Sequence, residues 1–245
     1  MEERLDKILV DRGLVTSRTR AEELIKNGDV LVNGQTLDKP GKKIALTAKI
    51  ILLNEELAWV SRGALKLLKA LETFSIDVTN KVGLDIGAST GGFTQVLLEK
   101  GASKVFCVDV GHGQLHEIIR TNPKIVNIEK THIRELSKDK VNELVDIAVI
   151  DVSFISLEKV LPFLVPFLKP SAQIVALIKP QFELERKALN KHGVVRSSSF
   201  YPGVLKNIQS VCAACNFETI DIIDSPIVGG DGNKEFLLYA VKKAE

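Results

Sequence analysis

The hydrophobic and polar positions divide this chain into two patterns that meet near residue 60. Beyond that point, short apolar runs alternate with segments in which apolar residues recur every three or four positions. This alternation predicts an α/β fold, with a doubly wound, mostly parallel sheet covered by helices on both faces. The predicted strands are Val82–Ile86, Lys104–Val108, Ile125–Ile128, Val145–Ile150 and Gln173–Ile178.

Helical patterns lie between these strands, at Phe93–Glu99, Leu115–Arg120 and Ser156–Leu168. Two further strand-like runs, Phe217–Ile223 and Phe236–Val241, predict a closing antiparallel pair. Repeats of this kind are typical of a Rossmann-like domain, in which ligands bind beyond the carboxyl ends of the strands.

The first 60 residues predict a separate, small α+β domain. A short amphipathic helix begins near Leu5, and Thr16 or Ser17 can cap a second helix that ends at Asn27-Gly28. Two strand-like runs follow, VLVNGQTL and KIALTAKIILL, with a tight-hairpin dipeptide at Asn33-Gly34.

Composition excludes several classes of protein. The start of the chain carries acids and bases throughout and has no apolar segment typical of a secretory signal. The longest apolar run, Val160–Leu168, is about half of what a membrane-spanning helix requires and contains two prolines. A net charge of +2 does not by itself indicate a nucleic-acid partner.

The three cysteines, Cys107, Cys212 and Cys215, form a sparse, odd set that is typical of a reducing compartment, so we expect a cytoplasmic protein. Cys212 and Cys215 form a CxxC without a second pair of ligands, so no metal site is expected. Two small buried residues of a helix are favoured over a redox pair, because the flanking pattern is helical.

The segment LDIGASTGGFT predicts a strand, a glycine-rich turn and a helix, which together form a ligand-binding loop. Asp109, at the end of the next strand, is placed to accept hydrogen bonds from ribose hydroxyls. The alternatives are a plain helix-entry turn and a nicotinamide site. The spacing is not GxGxxG, and an acid before the first glycine favours the cationic methionyl group of S-adenosylmethionine over a pyrophosphate. The expected cofactor contacts are Asp85, Gly87, Ala88, Ser89, Thr90, Gly91, Gly92, Phe93, Asp109 and Val110.

The motifs WVSRGALKL, LDIGASTGGFT, VDVG, IDVSFISL, LIKPQFE and GVVR occur in one order. Their order resembles the TlyA family of ribosomal-RNA 2'-O-methyltransferases, which are also named haemolysins and share a catalytic domain with FtsJ-type enzymes. The front domain is similar to a small RNA-binding module of a small-subunit ribosomal protein, the S4-like domain. The resemblance implies an S4-like domain at residues 1–58, a linker at 59–64 and a methyltransferase domain at 65–245. It also implies S-adenosylmethionine as cofactor and cytidine ribose in 23S or 16S ribosomal RNA as substrate.

The family's catalytic tetrad corresponds to Lys66, Asp151, Lys179 and Glu235. Asp151 and Lys179 directly follow apolar strands, at the sheet edge where ligands bind, whereas a surface charge remains an alternative for each residue of the set. A lysine acts as a base only when burial or a neighbouring cation favours its neutral form. We expect Lys179 to be that base, with Lys66 as its cationic neighbour and the two acids orienting the ammonium groups.

The resemblance, more than charge, predicts RNA binding by the front domain, because residues 1–60 hold ten basic and ten acidic residues. A solvated helix face is the alternative. Cations that contact phosphates would give a salt-dependent affinity. The expected RNA contacts are Arg4, Arg18, Arg20, Lys26, Lys42 and Arg62.

Some positions leave alternatives open. Glu129 and His132 are candidates to hold an adenine ring, and His112 is either near the cofactor or a plain loop residue. Gly229 and Gly230 predict a flexible segment that delivers Glu235, or only a hairpin. Two other functions remain: an RNA-binding module with an inactive methyltransferase scaffold, and a membrane-lytic protein.

Overall fold

A computed structural model describes residues 2–15, 17–26, 28–52, 59–229 and 232–244. The chain forms two compact units, one ending at Ser61 and the other beginning at Arg62. This division falls inside the expected linker, residues 59–64. Thr16, Asn27 and Gly230, which the sequence singled out, lie outside the described residues.

In its described residues, the first unit contains two helices and five short strands around an apolar core, which includes Leu5, Leu9 and Ile25. Its elements are β1 (Glu2–Arg4), α1 (Leu5–Asp11), α2 (Arg18–Lys26), β2 (Val30–Val32), β3 (Gln35–Thr36), β4 (Lys43–Ala45) and β5 (Ile50–Leu52).

Two local predictions for this unit are confirmed. The Ser17 hydroxyl accepts a hydrogen bond from the Arg20 amide at 3.2 Å, as a helix cap does. Asn33 and Gly34 both have positive φ and join β2 to β3 as an antiparallel hairpin. The run KIALTAKIILL, however, is not one strand. A turn in which the Ala48 amide donates to Ala45 divides it, so that β4 pairs with β1 and β5 with β2.

The second unit is a three-layered α/β domain with a seven-stranded sheet in the order β11-β12-β10-β9-β6-β7-β8. Its strands are β6 (Val82–Ile86), β7 (Lys104–Val108), β8 (Ile125–Ile128), β9 (Val145–Ile150), β10 (Leu168–Ile178), β11 (Phe217–Asp224) and β12 (Phe236–Lys242). Its helices are α3 (Gly63–Thr73), α4 (Gly92–Glu99), α5 (Glu117–Arg120), α6 (Leu161–Leu164), α7 (Pro180–Glu183) and α8 (Tyr201–Ala214). Short 3-10 turns lie at Ile133–Glu135, Leu157–Lys159, Val165–Phe167, Arg186–Ala188 and Ser198–Phe200.

The predicted strand set and its directions are confirmed. Strands β6 to β10 run parallel, and β12 is antiparallel to both β10 and β11. These strands are apolar along almost their whole length because helices cover both faces of the sheet.

The prediction of one continuous helix over Ser156–Leu168 is wrong. This segment consists of two 3-10 turns and the single turn of α6, since Pro162 and Pro166 cannot donate backbone hydrogen bonds inside a helix. The helix expected over Leu115–Arg120 begins later, at Glu117, where the His116 ring accepts a hydrogen bond from the Ile118 amide. Strand β10 begins earlier than predicted, at Leu168.

Cys212 is buried on α8, and Cys215 follows the end of that helix. Burial raises the pKa of the Cys212 thiol to about 11, so it is an unreactive core group. None of the helices in the described ranges is long and apolar enough to cross a membrane.

Candidate active site

A cavity of about 720 Å³ opens at the carboxyl ends of the central strands of the second unit. The chain order of the strands reverses between β6 and β9, and this is where α/β sheets bind ligands. The loops that follow β6, β7, β8 and β9 all contribute to its wall.

The glycine-rich loop after β6 has a backbone that needs glycine at two positions. Gly87 and Gly91 have φ of 85° and 95°, and a Cβ at Gly87 would collide with the carbonyl oxygen of Asp151. Asp109 holds this loop, because its carboxylate accepts hydrogen bonds from the amides of Ser89 at 2.8 Å and Gly111 at 2.7 Å. Remaining lone pairs of the carboxylate can accept further hydrogen bonds in the cavity.

The predicted cofactor contacts separate into two groups. Those that line the cavity are Gly87, Ser89, Asp109 and Val110. Asp85, Ala88, Thr90, Gly91, Gly92 and Phe93 do not line it. Gly92 and Phe93 pack into the core as the first turn of α4, since the helix must cover the sheet directly behind the loop.

Asp85 lies beneath the loop and is fully buried. The Thr94 hydroxyl donates to one of its carboxylate oxygens at 2.6 Å, whereas the other oxygen has no hydrogen-bond partner among the described residues. Burial raises the pKa of this carboxyl to about 7. Asp85 therefore supports the loop from below and leaves one buried acceptor atom available.

The two adenine candidates have different positions. His132 lines the cavity, together with Thr131, Ile133 and Arg134. Glu129 instead holds the preceding loop, because it accepts hydrogen bonds from the Gly113 amide at 2.7 Å and the Gln114 amide at 3.2 Å. These bonds, led by that of Gly113, lower the pKa of Glu129 to about 2.

His112 contacts the same carboxylate, at 3.1 Å, and is largely exposed. It therefore belongs to the loop that Glu129 holds and is not part of the cavity lining.

The four proposed catalytic residues form two ion pairs. Lys179 lies 2.6 Å from Asp151, and its ammonium group also donates to the Ser153 hydroxyl at 3.0 Å. Lys66, on α3, lies 2.7 Å from Glu235, and both side chains are almost fully buried.

Strand register brings the two pairs to the same edge of the sheet. Ile178 and Phe236 are partners in the antiparallel ladder of β10 and β12, so Lys179 and Glu235 are the next residues beyond that pair. Asp151 follows the last residue of the parallel neighbour β9 and lines the cavity. The tetrad thus lies beside the cavity. Asp151 belongs to both, because it pairs with Lys179 and also lines the cavity wall.

Two residues beside this cluster were not expected from the sequence. Ser153 contacts Lys179, and Phe154 lines the cavity with 90% of its surface exposed. Phe154 has φ of 64°, which is strained for an aromatic residue, and its ring lies 5.1 Å from that of Phe182. The motif IDVSF contains both residues, but their exposure and strain have no signal in the sequence.

The cations expected to bind RNA in the first unit differ in accessibility. Arg4 and Arg18 remain about half exposed while pairing with the buried Asp6, at 2.7 and 2.9 Å, and they hold the pKa of that carboxyl far below its usual range. Arg20 is the exception, with a side chain only 8% exposed and paired with Glu23 at 3.1 Å.

Arg20 therefore stabilises the helix and is not accessible to a partner, because the apolar side of α2 must face the core. The remaining expected contacts are accessible: Lys26 and Lys42 are exposed, and Arg62 is half-buried.

Comparison with known proteins places this architecture in a family. Residues 59–242 match the model of the FtsJ-like methyltransferases, and residues 3–50 match that of the S4 domain. The 16S/23S rRNA (cytidine-2'-O)-methyltransferase TlyA of Mycobacterium tuberculosis is 41% identical over 96% of this chain and 88% of its own. Hemolysin A of Brachyspira hyodysenteriae is 40% identical over 97% of this chain and 99% of its own.

Solved structures agree with this assignment. A proposed hemolysin of Streptococcus thermophilus superposes with a TM-score of 0.80 and 41% identity, covering 99% of this chain and 89% of that one. A proposed S-adenosylmethionine-dependent methyltransferase of Listeria monocytogenes shares only the fold, with a TM-score of 0.55 and 16% identity over 72% of this chain and 97% of its own. The chain therefore belongs to the TlyA family of FtsJ-like methyltransferases that carry an S4 domain.

Proposed function

We propose that this protein transfers a methyl group from S-adenosylmethionine to the 2'-hydroxyl of a cytidine ribose in ribosomal RNA, in the cytoplasm. The observation that carries the proposal is the pair of ion pairs, Lys179–Asp151 and Lys66–Glu235, at the edge of a cavity suited to a nucleoside. The TlyA relatives bear the names of rRNA (cytidine-2'-O)-methyltransferases, which supports the choice of substrate.

The cavity suits S-adenosylmethionine in several respects. The Gly87 loop lets a ligand approach the backbone, Asp109 has acceptor capacity for ribose hydroxyls, and the wall near His132 can enclose an adenine. The unpartnered oxygen of Asp85 is a buried acceptor directly beneath the loop. When bound, the cofactor supplies a methyl group activated by a positively charged sulfur.

Lys179 is the proposed base, because a ribose hydroxyl is a poor nucleophile until its proton is removed. Asp151 and Ser153 fix the position of the Lys179 nitrogen, and they hold it at the cavity edge. Lys66 is the second cation of the cluster, and Glu235 keeps it from being an isolated buried charge. About 10% of the Lys66 side chain remains exposed, and we propose that this part contacts the ribose or its phosphate.

Phe154 is the proposed platform for the target base. An exposed aromatic ring at the mouth of the cavity can stack on a base that has left its helix, as RNA-modifying proteins require.

Cations of the S4 domain supply affinity for the phosphates, through Arg4, Arg18, Lys26 and Lys42, and Arg62 adds to them. We assign residues 1–58 to that domain, 59–64 to a linker and 65–245 to catalysis.

The test is methyl transfer from labelled S-adenosylmethionine to ribosomal subunits that lack the modification. Lys179→Arg is the informative variant, because arginine keeps the charge but cannot lose its proton. We expect Lys179→Arg and Lys179→Ala to lower the rate at least about 100-fold while cofactor affinity is retained.

Near-normal transfer by Lys179→Arg would overturn the base role and leave the enzyme class intact. The absence of label in both subunits with the wild-type protein would overturn the proposed function. If the methyltransferase fold were only an inactive scaffold for RNA binding, the wild-type protein would transfer no label. If the protein were membrane-lytic, it would cause membrane leakage that Asp151→Ala leaves unchanged.

A further inference from the structure

The segment between α7 and α8 folds into a tight hairpin, residues 188–196, which we call the cationic hairpin. Its ends are closed by a hydrogen bond from the Arg196 amide to the Ala188 carbonyl at 3.0 Å. Its tip is held by Asn190, whose side-chain oxygen accepts hydrogen bonds from the amides of His192 at 2.8 Å and Val194 at 3.0 Å. The loop is therefore preorganised by its own side chains.

The tip presents positive charge to solvent. Lys191 is exposed at the tip, beside the exposed ring of His192, and residues 186–196 contain no acid. Arg196 is exposed where the hairpin closes, and its guanidinium donates a hydrogen bond to the Leu189 carbonyl at 2.8 Å. Within the described parts of the chain, neither Lys191 nor Arg196 forms an ion pair, whereas both cations of the catalytic cluster do. Two exposed cations without ion pairs, one at the tip and one at the closing end of a preorganised hairpin, suit an anionic partner whose charges are regularly spaced.

Asn233 attaches this hairpin to the segment that carries Glu235. Asn233 is 1% exposed, and its side-chain nitrogen Nδ2 donates to the Gly193 carbonyl at 3.1 Å while its side-chain oxygen accepts from the Val195 amide at 3.0 Å. Its own carbonyl accepts a hydrogen bond from the Gly229 amide at 2.8 Å. A Cβ at Gly229 would lie 2.6 Å from a carboxylate oxygen of Glu235, so Gly229 packs directly on the catalytic acid.

The hairpin is thus joined to the tetrad from two sides. Along the chain it follows α7, which begins immediately after Lys179, and through Asn233 it is bonded to the Glu235 segment. A phosphate held at the tip would be fixed relative to both catalytic elements. Such a contact would set the register of the RNA strand, because phosphate contacts position a nucleic acid without reading its sequence.

We propose that the cationic hairpin is a phosphate-binding surface for the RNA strand that flanks the target nucleotide, and that Asn233 is the positioning residue that fixes this surface relative to Glu235. The proposal rests on the proposed function and deepens it. It adds an RNA contact on the methyltransferase domain to those expected on the S4 domain. The partner is the sugar–phosphate backbone of RNA.

The experiment uses the full chain and compares Lys191→Glu with Lys100→Glu. Lys100 is also exposed, but it follows the end of α4, at the opposite edge of the sheet. We expect Lys191→Glu to raise KM for ribosomal subunits about tenfold, leave kcat within about twofold and lower the salt slope of binding by about one. Lys100→Glu should match the wild type in all three quantities.

Asn233→Ala tests the positioning role through a double-mutant cycle. We expect it to lower kcat as well as raise KM, with affinity for S-adenosylmethionine unchanged. In the Asn233→Ala background, Lys191→Glu should have almost no further effect on KM, because the tip is no longer held in place. Additive effects would show that Asn233 is only a stabilising residue and would overturn its role.

Equal KM and equal salt slope for Lys191→Glu and Lys100→Glu would overturn the hairpin proposal while leaving the proposed function intact. Failure of the wild-type protein to methylate subunits would instead contradict the proposed function. Equilibrium binding of the wild-type protein, Lys191→Glu and Lys100→Glu to the same subunits, measured across salt concentrations, then decides the hairpin proposal independently of methyl transfer.

Discussion

At the scale of single residues, Asp85 shows how burial separates a side chain from the role its motif implies. An acid in a glycine-rich motif suggests direct contact with a ligand, yet this carboxyl lies wholly inside the domain. Its raised pKa, caused first by burial, means that the folded protein binds a proton more tightly than the unfolded chain does.

This residue has a measurable effect on the pH dependence of stability. Between about pH 4 and pH 7 the folded state retains the Asp85 proton that the unfolded state releases, so Asp85 makes the free energy of unfolding fall as pH rises. Asp85→Asn should remove this contribution and flatten the profile, as measured by urea titration at several pH values. Identical slopes for both proteins would contradict the assignment.

At the scale of elements, Glu183 connects the two segments that carry the Asp151–Lys179 pair. It lies at the end of α7, and its carboxylate accepts hydrogen bonds from the Ser156 hydroxyl at 2.6 Å and the Leu157 amide at 2.9 Å. Phe182, the residue before Glu183, packs on Phe154, which lies in the same loop after β9 as Ser156 and Leu157. Four contacts thus hold the loop after β9 against α7 and the residue before it: the two hydrogen bonds of Glu183, the contact between the two rings and the Lys179–Asp151 ion pair.

Removal of this connection should affect stability and rate together. Glu183→Ala leaves the Leu157 amide without its acceptor, which should cost about 1–3 kcal/mol of unfolding free energy. We also expect kcat to fall several-fold, because Asp151 and Lys179 are then less firmly held. Glu183→Gln keeps one acceptor oxygen and should lie between the two proteins in chemical denaturation and in initial-rate assays.

At the scale of the whole molecule, the near-balance of positive and negative charge does not show where the exposed cations lie. The first unit has exposed cations, among them Lys26 and Lys42, even though its acids and bases are equal in number over residues 1–60. Attraction to RNA depends on where such charges lie, and net charge is a poor measure of it.

Reversing the charge of two lysines in the first unit measures how much this unit contributes to the affinity for RNA. We expect Lys26→Glu with Lys42→Glu to weaken binding to ribosomal subunits and to lower its salt slope by about two, with S-adenosylmethionine affinity unchanged. Isothermal titration with the cofactor and salt-dependent binding of subunits provide the two readouts. A loss of cofactor affinity in the same variant would contradict the separation of roles between the units.

The sequence by itself determined the strands and which candidate residues follow them at one edge of the sheet. Periodicity predicted the bounds of β6, β7, β8 and β9, because buried parallel strands are short apolar runs bounded by turns. The position directly after a strand predicted Asp151 and Lys179, because the carboxyl ends of parallel strands meet at one edge. The ordered motifs predicted the family, which the comparisons confirm.

Only the tertiary structure decided which of these residues face the cavity. The burial of Asp85 and Arg20, the exposure of Phe154 and the anchoring of the cationic hairpin by Asn233 depend on contacts between segments that are far apart in the chain. The pairing of Lys66 with Glu235 likewise joins α3 to the start of β12. Local pattern fixes the face and type of an element, whereas packing between distant elements fixes what each side chain touches.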